Sequence, residues 1–197
     1  MKISASVLAI NNVDIKSSLS SVRDSYDLVH IDIADNIFCP TYGVPFELIS
    51  DLNKNSNDLL DVHFMIKSPE KILPKISELN IYNLSVHCEA ISVDKFIDMK
   101  SPDYKLGIAV LVDSDLSIVN NYLEHADSVL LLCVNPGFSY QKPSILPVKR
   151  VRSFRNLYPE YDGLLSVDGG VSSDMLEDLK GLNVDIAVQG GAIFGTR

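Results

Sequence analysis

The stretch Leu28-Val29-His30-Ile31-Asp32-Ile33 is an almost unbroken apolar run that admits two polar residues, His30 and Asp32, at i and i+2. A run of this kind suits a parallel strand buried on both faces. The spacing puts both polar side chains on one face of the strand. A second run, Ser128-Val129-Leu130-Leu131-Leu132-Cys133-Val134, has the same character. Working outward from these two, strands are expected near 2–8, 27–33, 59–66, 81–87, 105–111, 127–134, 163–167 and 184–189. Amphipathic segments lie between them, and helices are expected near 13–24, 45–54, 69–78, 92–98, 114–124, 146–157 and 173–181. Ser68-Pro69-Glu70 offers a cap residue, then proline at the first helical position, then an acid, and Ser172-Ser173-Asp174 is a similar start. Strand and helix alternating along the whole chain imply a parallel sheet with helices outside it. Eight strands favour closure into a (β/α)₈ TIM barrel over an open sheet.

Length and composition agree with that architecture. The chain has 197 residues, at the short end of the about 200–250 usual for this barrel. With 46% hydrophobic and 22% charged residues it reads as globular. No linker, charge block or low-complexity segment divides it, so residues 1–197 are expected to form one barrel domain. The eighth strand is followed only by Gly190-Gly191-Ala192-Ile193-Phe194-Gly195-Thr196-Arg197, so an eighth outer helix is expected to be absent. That would leave apolar surface open beside strands 8 and 1, to be covered by a partner subunit in a homo-oligomer or by a neighbouring helix. The formal charge of −9 argues against a nucleic-acid partner, which would call for a basic face. Cys39, Cys88 and Cys133 form no C-x-x-C pair, and a reduced compartment is the simpler expectation. The N-terminal apolar run is too short for a signal peptide, and no stretch approaches a membrane span, so a cytoplasmic location without membrane contact is expected.

Active sites of such barrels collect at the C-terminal ends of the strands. His30 and Asp32 fall there on strand 2, His63 on strand 3 within Asp61-Val62-His63-Phe64-Met65, and Asp168 at the end of strand 7. One His or Asp at a strand end is ordinarily a hydrogen-bonded structural residue. Two imidazoles and two carboxylates converging on one mouth would make a nitrogen and oxygen site for a divalent metal. His87 and Glu89 repeat the i, i+2 pattern on strand 4, as a rival ligand pair or as partners that orient the ligands. His125 precedes strand 6, at the wrong end of the barrel. Gly169-Gly170 after strand 7 and Gly190-Gly191 after strand 8 mark either tight turns or the phosphate cradle that recurs at these loops. Asn135-Pro136-Gly137-Phe138-Ser139-Tyr140-Gln141 has the composition of a mobile lid.

In order along the chain, these segments resemble the ribulose-phosphate 3-epimerase family. Val29-His30-Ile31-Asp32-Ile33-Ala34-Asp35 with Phe38-Cys39-Pro40 is similar to its H-I-D-x-M-D-G-x-F-V-P segment. Asp61–Met65 is similar to D-V-H-L-M, His87-Cys88-Glu89-Ala90 to H-x-E-A, Val134–Phe138 to V-x-P-G-F, and Val167–Val171 to V-D-G-G-V. The resemblance implies that His30, Asp32, His63 and Asp168 hold one divalent metal, with zinc the first expectation and iron or manganese the others. It implies that Asp32 and Asp168 are the two acid–base residues, and that Ser6, on the opening strand, lies near the substrate. His63, Gly137, Phe138, Gly169, Gly170, Gly190 and Gly191 are expected to complete the pocket for a small phosphorylated sugar. The implied reaction inverts C3 of a ketose phosphate, D-ribulose 5-phosphate to D-xylulose 5-phosphate, or of a six-carbon relative such as allulose 6-phosphate. A sugar-phosphate-binding barrel without turnover is the alternative of another class. The chain departs from the family pattern at Ala34, Asn36 and Leu132, at Ser139-Tyr140 in the lid, and at Gly191, where a serine often contacts the phosphate.

Overall fold

The structure, a computed structural model, describes residues 1–10 and 14–195. Eight parallel strands close into a barrel in chain order: β1 (Lys2–Ser6), β2 (Leu28–Ala34), β3 (Leu60–Met65), β4 (Ile81–His87), β5 (Lys105–Val110), β6 (Ser128–Leu132), β7 (Leu164–Asp168) and β8 (Ile186–Gln189). β1 pairs with both β2 and β8, so no edge is left unpaired. The helices α1 (Ile15–Ser21), α2 (Phe46–Asn55), α3 (Leu73–Ile76), α4 (Val93–Ile97), α5 (Pro147–Leu157) and α6 (Leu176–Gly181) fill the crossovers, and α7 (Gly191–Phe194) follows β8. All eight expected strands are present. None of the described helices is long and apolar enough to cross a membrane.

Two layers of side chains explain the closure. Outward-facing residues such as Val29, Ile31, Val62, Phe64, Leu84, Val86, Ile108, Val129, Leu131, Leu165 and Val167 are buried in one continuous core with Ile49, Phe96 and Phe154 from the helices. The inward face is different. Ser4, His30, Asp32, Asp61, His63, Asn83, Ser85, His87, Ser128 and Ser166 are all buried. The apolar cluster inside the barrel is limited to Ala109, Leu130 and Leu132 with Leu111 packed on it. A polar interior costs stability unless its groups are bonded to each other, and here most are, Ser166 Oγ and His30 Nε2 being exceptions. Asp61 accepts from Ser4 Oγ at 2.9 Å and from Asn83 Nδ2 at 3.0 Å, and Ser128 Oγ donates to Asn83 Oδ1 at 2.6 Å.

Three expectations need correction. The first strand stops at Ser6, because Val7–Ala9 turns into a single 3₁₀ turn. The expected helix at 114–124 is reduced to a 3₁₀ segment, Leu116–Val119. Ile118-Val119-Asn120-Asn121 is a run of weak helix formers, while the Asp115 carboxylate accepts from Ser117 N and closes a local turn instead. The expected open flank beside β8 and β1 does not form. Its outward positions are the small Ala5 and Ala187, both fully buried, and the 4% exposed Gln189. Ile3, with Ile193 and Phe194 of α7, packs against the outer core. The first residue of the helix expected at 13–24 and the last two residues of the chain lie outside the described residues.

Candidate acid–base and metal centre at the barrel mouth

The strand register decides which side chains meet. Asp32 pairs with His63 across β2 and β3, and His30 pairs with Asp61 one step below. Leu132 pairs with Asp168 across β6 and β7. All of these point inward; Asp32, His63, Leu132 and Asp168 lie in the C-terminal half of their strands, and His30 and Asp61 lie deeper. One ligand atom from each of His30, Asp32, His63 and Asp168 can be chosen so that all lie within 4.8 Å of one another. His63 Nδ1 is 3.1 Å from Asp32 Oδ1, and Ser6 Oγ donates to Asp32 Oδ2 at 3.3 Å.

The donor set fits a divalent ion. His30 Nδ1 meets Asp61 Oδ2 at 2.8 Å, whereas its Nε2 is buried and makes no hydrogen bond. Asp32 Oδ1 stands 3.5 Å from that Nε2. An imidazole nitrogen left open in this way, beside two carboxylates and the Nδ1 of His63, is the arrangement a nitrogen and oxygen site calls for.

The same surroundings separate the two aspartates. Burial alone would raise the Asp32 carboxyl, but the imidazole of His30 chiefly outweighs it and holds it well below the usual carboxylate range. Burial raises Asp168, and the negative charge of Asp32 adds to the rise against the pull of the two imidazoles. Burial opposes a charge on His30, yet Asp32 and Asp61 overcome it and raise that imidazole well above its ordinary value. The two neighbouring carboxyls are thus shifted in opposite directions.

Above these residues lies a cavity of about 580 Å³. Ser6, Asp32, His63, Gly137, Phe138, Asp168, Gly169, Gly170, Gly190 and Gly191 line it, so every residue expected at the substrate borders the same space. His30 does not line it and stands beneath the floor. Leu132 forms part of the floor, whereas Ala34 does not border the cavity. Gly169 and Gly170 have φ of 99° and 72°, a conformation that side chains other than glycine rarely adopt. A Cβ on Gly169 would also stand 2.7 Å from Val134 Cγ2.

The lid sequence is tied down at several points. Tyr140 Oη donates to Ala9 O at 2.6 Å, and Gln141 Nε2 donates to Asn135 O at 2.7 Å and to Phe138 O at 2.8 Å. Below it, Asp35 accepts from Ile37 N, Phe38 N and Lys67 N, which joins the loops after β2 and β3. Asn36 has φ 57°, and asparagine tolerates this left-handed conformation better than most residues, so it serves where the family pattern has glycine.

His87 and Glu89 do not join the four-residue group. His87 Nε2 meets His63 Nε2 at 2.9 Å, and its Nδ1 meets Glu89 Oε2 at 3.2 Å. Burial pushes His87 down to about 4 against the pull of Glu89. Glu89, despite burial, is held down to about 2 by hydrogen bonds from His87, Ser114 and Leu111. His125 pairs with Glu124 at 3.0 Å, away from the site. Asp61 and Asn83 carry no role in the sequence reading. Their signal was present all the same: Asp61 precedes His63 by two, and Asn83, Ser85 and His87 alternate along β4.

A closed parallel barrel with two carboxyls and two imidazoles gathered at its mouth, beneath glycine turns after β7 and β8, is the architecture of a barrel enzyme of the isomerase class. The sequence pattern described as the Ribulose-phosphate 3 epimerase family matches residues 2–194, and the chain belongs to that family. A ribulose-phosphate 3-epimerase of Aquifex aeolicus (strain VF5) is 30% identical over 182 residues, covering 90% of this chain and 82% of that protein. One of Buchnera aphidicola subsp. Baizongia pistaciae (strain Bp) is 32% identical over 204 residues, covering 98% and 89%. Among solved structures, KGPDC from Streptococcus mutans superposes with a TM-score of 0.69 at 14% identity, covering all of this chain and 90% of that one. That likeness is one of fold.

Proposed function

We propose that this chain inverts C3 of a ketose phosphate, interconverting D-ribulose 5-phosphate and D-xylulose 5-phosphate, with Asp32 and Asp168 as the proton-transfer pair. The observation that carries this reading is the meeting of Asp32 and Asp168 beside His30 and His63 at the lining of one cavity. The names of the relatives support the substrate. Inversion next to a carbonyl requires removal of the C3 proton from one face and delivery of a proton to the other. On this reading Asp32 accepts the proton from one face and Asp168 donates one to the other. In the reverse direction the roles exchange, so the two titrate as a coupled pair.

His30, Asp32, His63 and Asp168 would hold one divalent ion, with zinc the leading choice and iron or manganese the alternatives. When bound, such an ion supplies Lewis-acid stabilisation of the negative charge that develops on the substrate oxygens. The backbone of Gly169, Gly170, Gly190 and Gly191 receives the phosphate, and Ser6 lies close to Asp32 to orient it. Anchoring the phosphate fixes C3 over the aspartates, which converts binding energy into orientation. Gly137 and Phe138 close the cavity from the lid. The altered lid adds the bulk of Tyr140 beside Gly191, which favours the five-carbon substrate over a six-carbon one.

The test is an epimerisation assay with D-ribulose 5-phosphate on protein of measured metal content, with allulose 6-phosphate in parallel. Turnover of the first with the higher kcat/KM supports the reading. Tight binding of both with no epimerisation would replace it with a binding barrel.

A further inference from the structure

We infer that Glu89 and His87 are positioning residues that set the tautomer of His63, so that its Nδ1 is presented to the centre; this rests on the metal reading above. The geometry leaves little freedom. Glu89 Oε1 accepts from Leu111 N at 3.0 Å and from Ser114 Oγ at 2.6 Å. Its other oxygen, Oε2, faces His87 Nδ1 at 3.2 Å and, being a carboxylate oxygen, accepts there. His87 Nδ1 is therefore the protonated nitrogen and its Nε2 carries the lone pair. That lone pair meets His63 Nε2 at 2.9 Å, where one nitrogen must donate and the other accept. His63 thus carries its proton on Nε2, and its Nδ1, the atom facing Asp32 at 3.1 Å, is the one that offers a lone pair.

The other imidazole is set the opposite way. Asp61 takes the Nδ1 proton of His30 at 2.8 Å and leaves Nε2 open. Asp61 is itself fixed by Ser4 Oγ and Asn83 Nδ2. Each histidine is backed by a carboxylate, directly for His30 and through a second imidazole for His63. Ligand histidines commonly donate their remote N–H to such a partner, which fixes ring orientation and tautomer. The chain from Leu111 and Ser114 through Glu89 and His87 to His63 runs from the loop after β5, past the end of β4, to β3, so it also ties that side of the mouth together.

Glu89→Gln tests this at the level of single protons. A glutamine keeps the shape, but Leu111 N–H and Ser114 Oγ–H claim its oxygen, so its NH₂ turns to His87 Nδ1. His87 must then accept at Nδ1 and donate from Nε2, and His63 must accept at Nε2 and carry its proton on Nδ1. The ring would hydrogen-bond Asp32 instead of offering a lone pair. Ser114→Ala removes one anchor of the same carboxylate without reversing it. Imidazole ¹H–¹⁵N spectra of the zinc-loaded protein, with zinc affinity by competition against a chelator, read the result. In the unmodified protein we expect His63 ligated through Nδ1 with Nε2 protonated, and His87 protonated on Nδ1 alone. Glu89→Gln should weaken zinc about 10–100-fold, the usual effect of losing such a partner, whereas Ser114→Ala should keep the tautomers and most of the affinity. Ligation of zinc through His63 Nε2, a doubly protonated His87, or equal losses in the two variants would overturn the relay. The unmodified spectra decide it even if Glu89→Gln does not fold. Failure of the unmodified protein to bind zinc, iron or manganese would instead overturn the metal reading.

Discussion

The Tyr140 ring occupies the space that a side chain at position 191 would need: a Cβ built on Gly191 comes within 3.2 Å of Tyr140 Cε1 and 3.3 Å of Cδ1. Tyr140 is latched across the cavity by its hydroxyl on Ala9 O. The two departures from the family pattern, tyrosine in the lid and glycine after β8, are therefore in contact with each other. Gly191→Ser alone should raise KM for the sugar phosphate, because the latched ring has to give way. Tyr140→Gly combined with Gly191→Ser should recover most of the loss. A double-mutant cycle on kcat/KM should show a coupling of about 1 kcal/mol, and strict additivity would mean that the two positions are independent.

The centre should depend on a metal ion. His63→Ala removes a nitrogen ligand and its bond to His87 together, so metal occupancy and activity should fall in step. Chelation should abolish turnover, and zinc, iron or manganese should restore it. Metal analysis alongside each assay checks the prediction, and full activity in verified metal-free protein would refute it.

Gly169 should be intolerant of any side chain. Its φ of 99° is strained for other residues, and the nearest obstacles to a Cβ are Val134 Cγ2 at 2.7 Å and the Val134 backbone N at 2.9 Å. Gly169→Ala is expected to cost about 1–3 kcal/mol and to lower Tm by several degrees. Because the turn also lines the cavity, KM should rise even below the new Tm. Thermal melts and initial rates on the same preparation test both parts.

The thiols should be inert in the folded protein. Burial raises Cys39 to about 11 and Cys133 to about 12, with nearby carboxylates adding to the rise, and it raises Cys88 further still. A thiol reacts as its thiolate, and at pH 8 almost none is present. Iodoacetamide should label no cysteine in native protein and all three after denaturation, read by mass spectrometry. Rapid native labelling at Cys39, beside the mouth and 3.9 Å from Met65 Sδ, would show that the loop after β2 opens.

The strands were legible in the sequence because a barrel strand buries both faces, and runs such as Leu28–Ile33 can do little else. His30, Asp32, His63 and Asp168 were legible because polar residues at i, i+2 on such runs must point inward and bond to something. The helix at 114–124 misled, since its apolar spacing looked helical while Ile118-Val119-Asn120-Asn121 disfavours a helix and Asp115 closes a turn. The open flank was inferred from the lack of a long eighth helix, whereas the outward Ala5 and Ala187 are buried there, with Ile193 and Phe194 of the short α7 packed against the core. The Tyr140 latch joins residues 131 positions apart and leaves no local pattern to read. Nor does the order of protons along Glu89, His87 and His63, which depends on Leu111 and Ser114 from a different crossover.

The two-aspartate mechanism is tested most directly by running the reaction in deuterated water and following C3. If Asp32 and Asp168 serve opposite faces, the proton taken from substrate at one is never the proton delivered by the other. Every product molecule should then carry deuterium at C3 from the first turnover. Asp168→Asn, with metal occupancy confirmed, should lose epimerisation by about 10²–10⁴-fold while Asp32 still exchanges the C3 proton of the epimer that faces it. Asp32→Asn should show the mirror result with the other epimer. Product that retains the original C3 proton in early turnovers, or a fully metallated variant that epimerises at a near wild-type rate, would contradict the account.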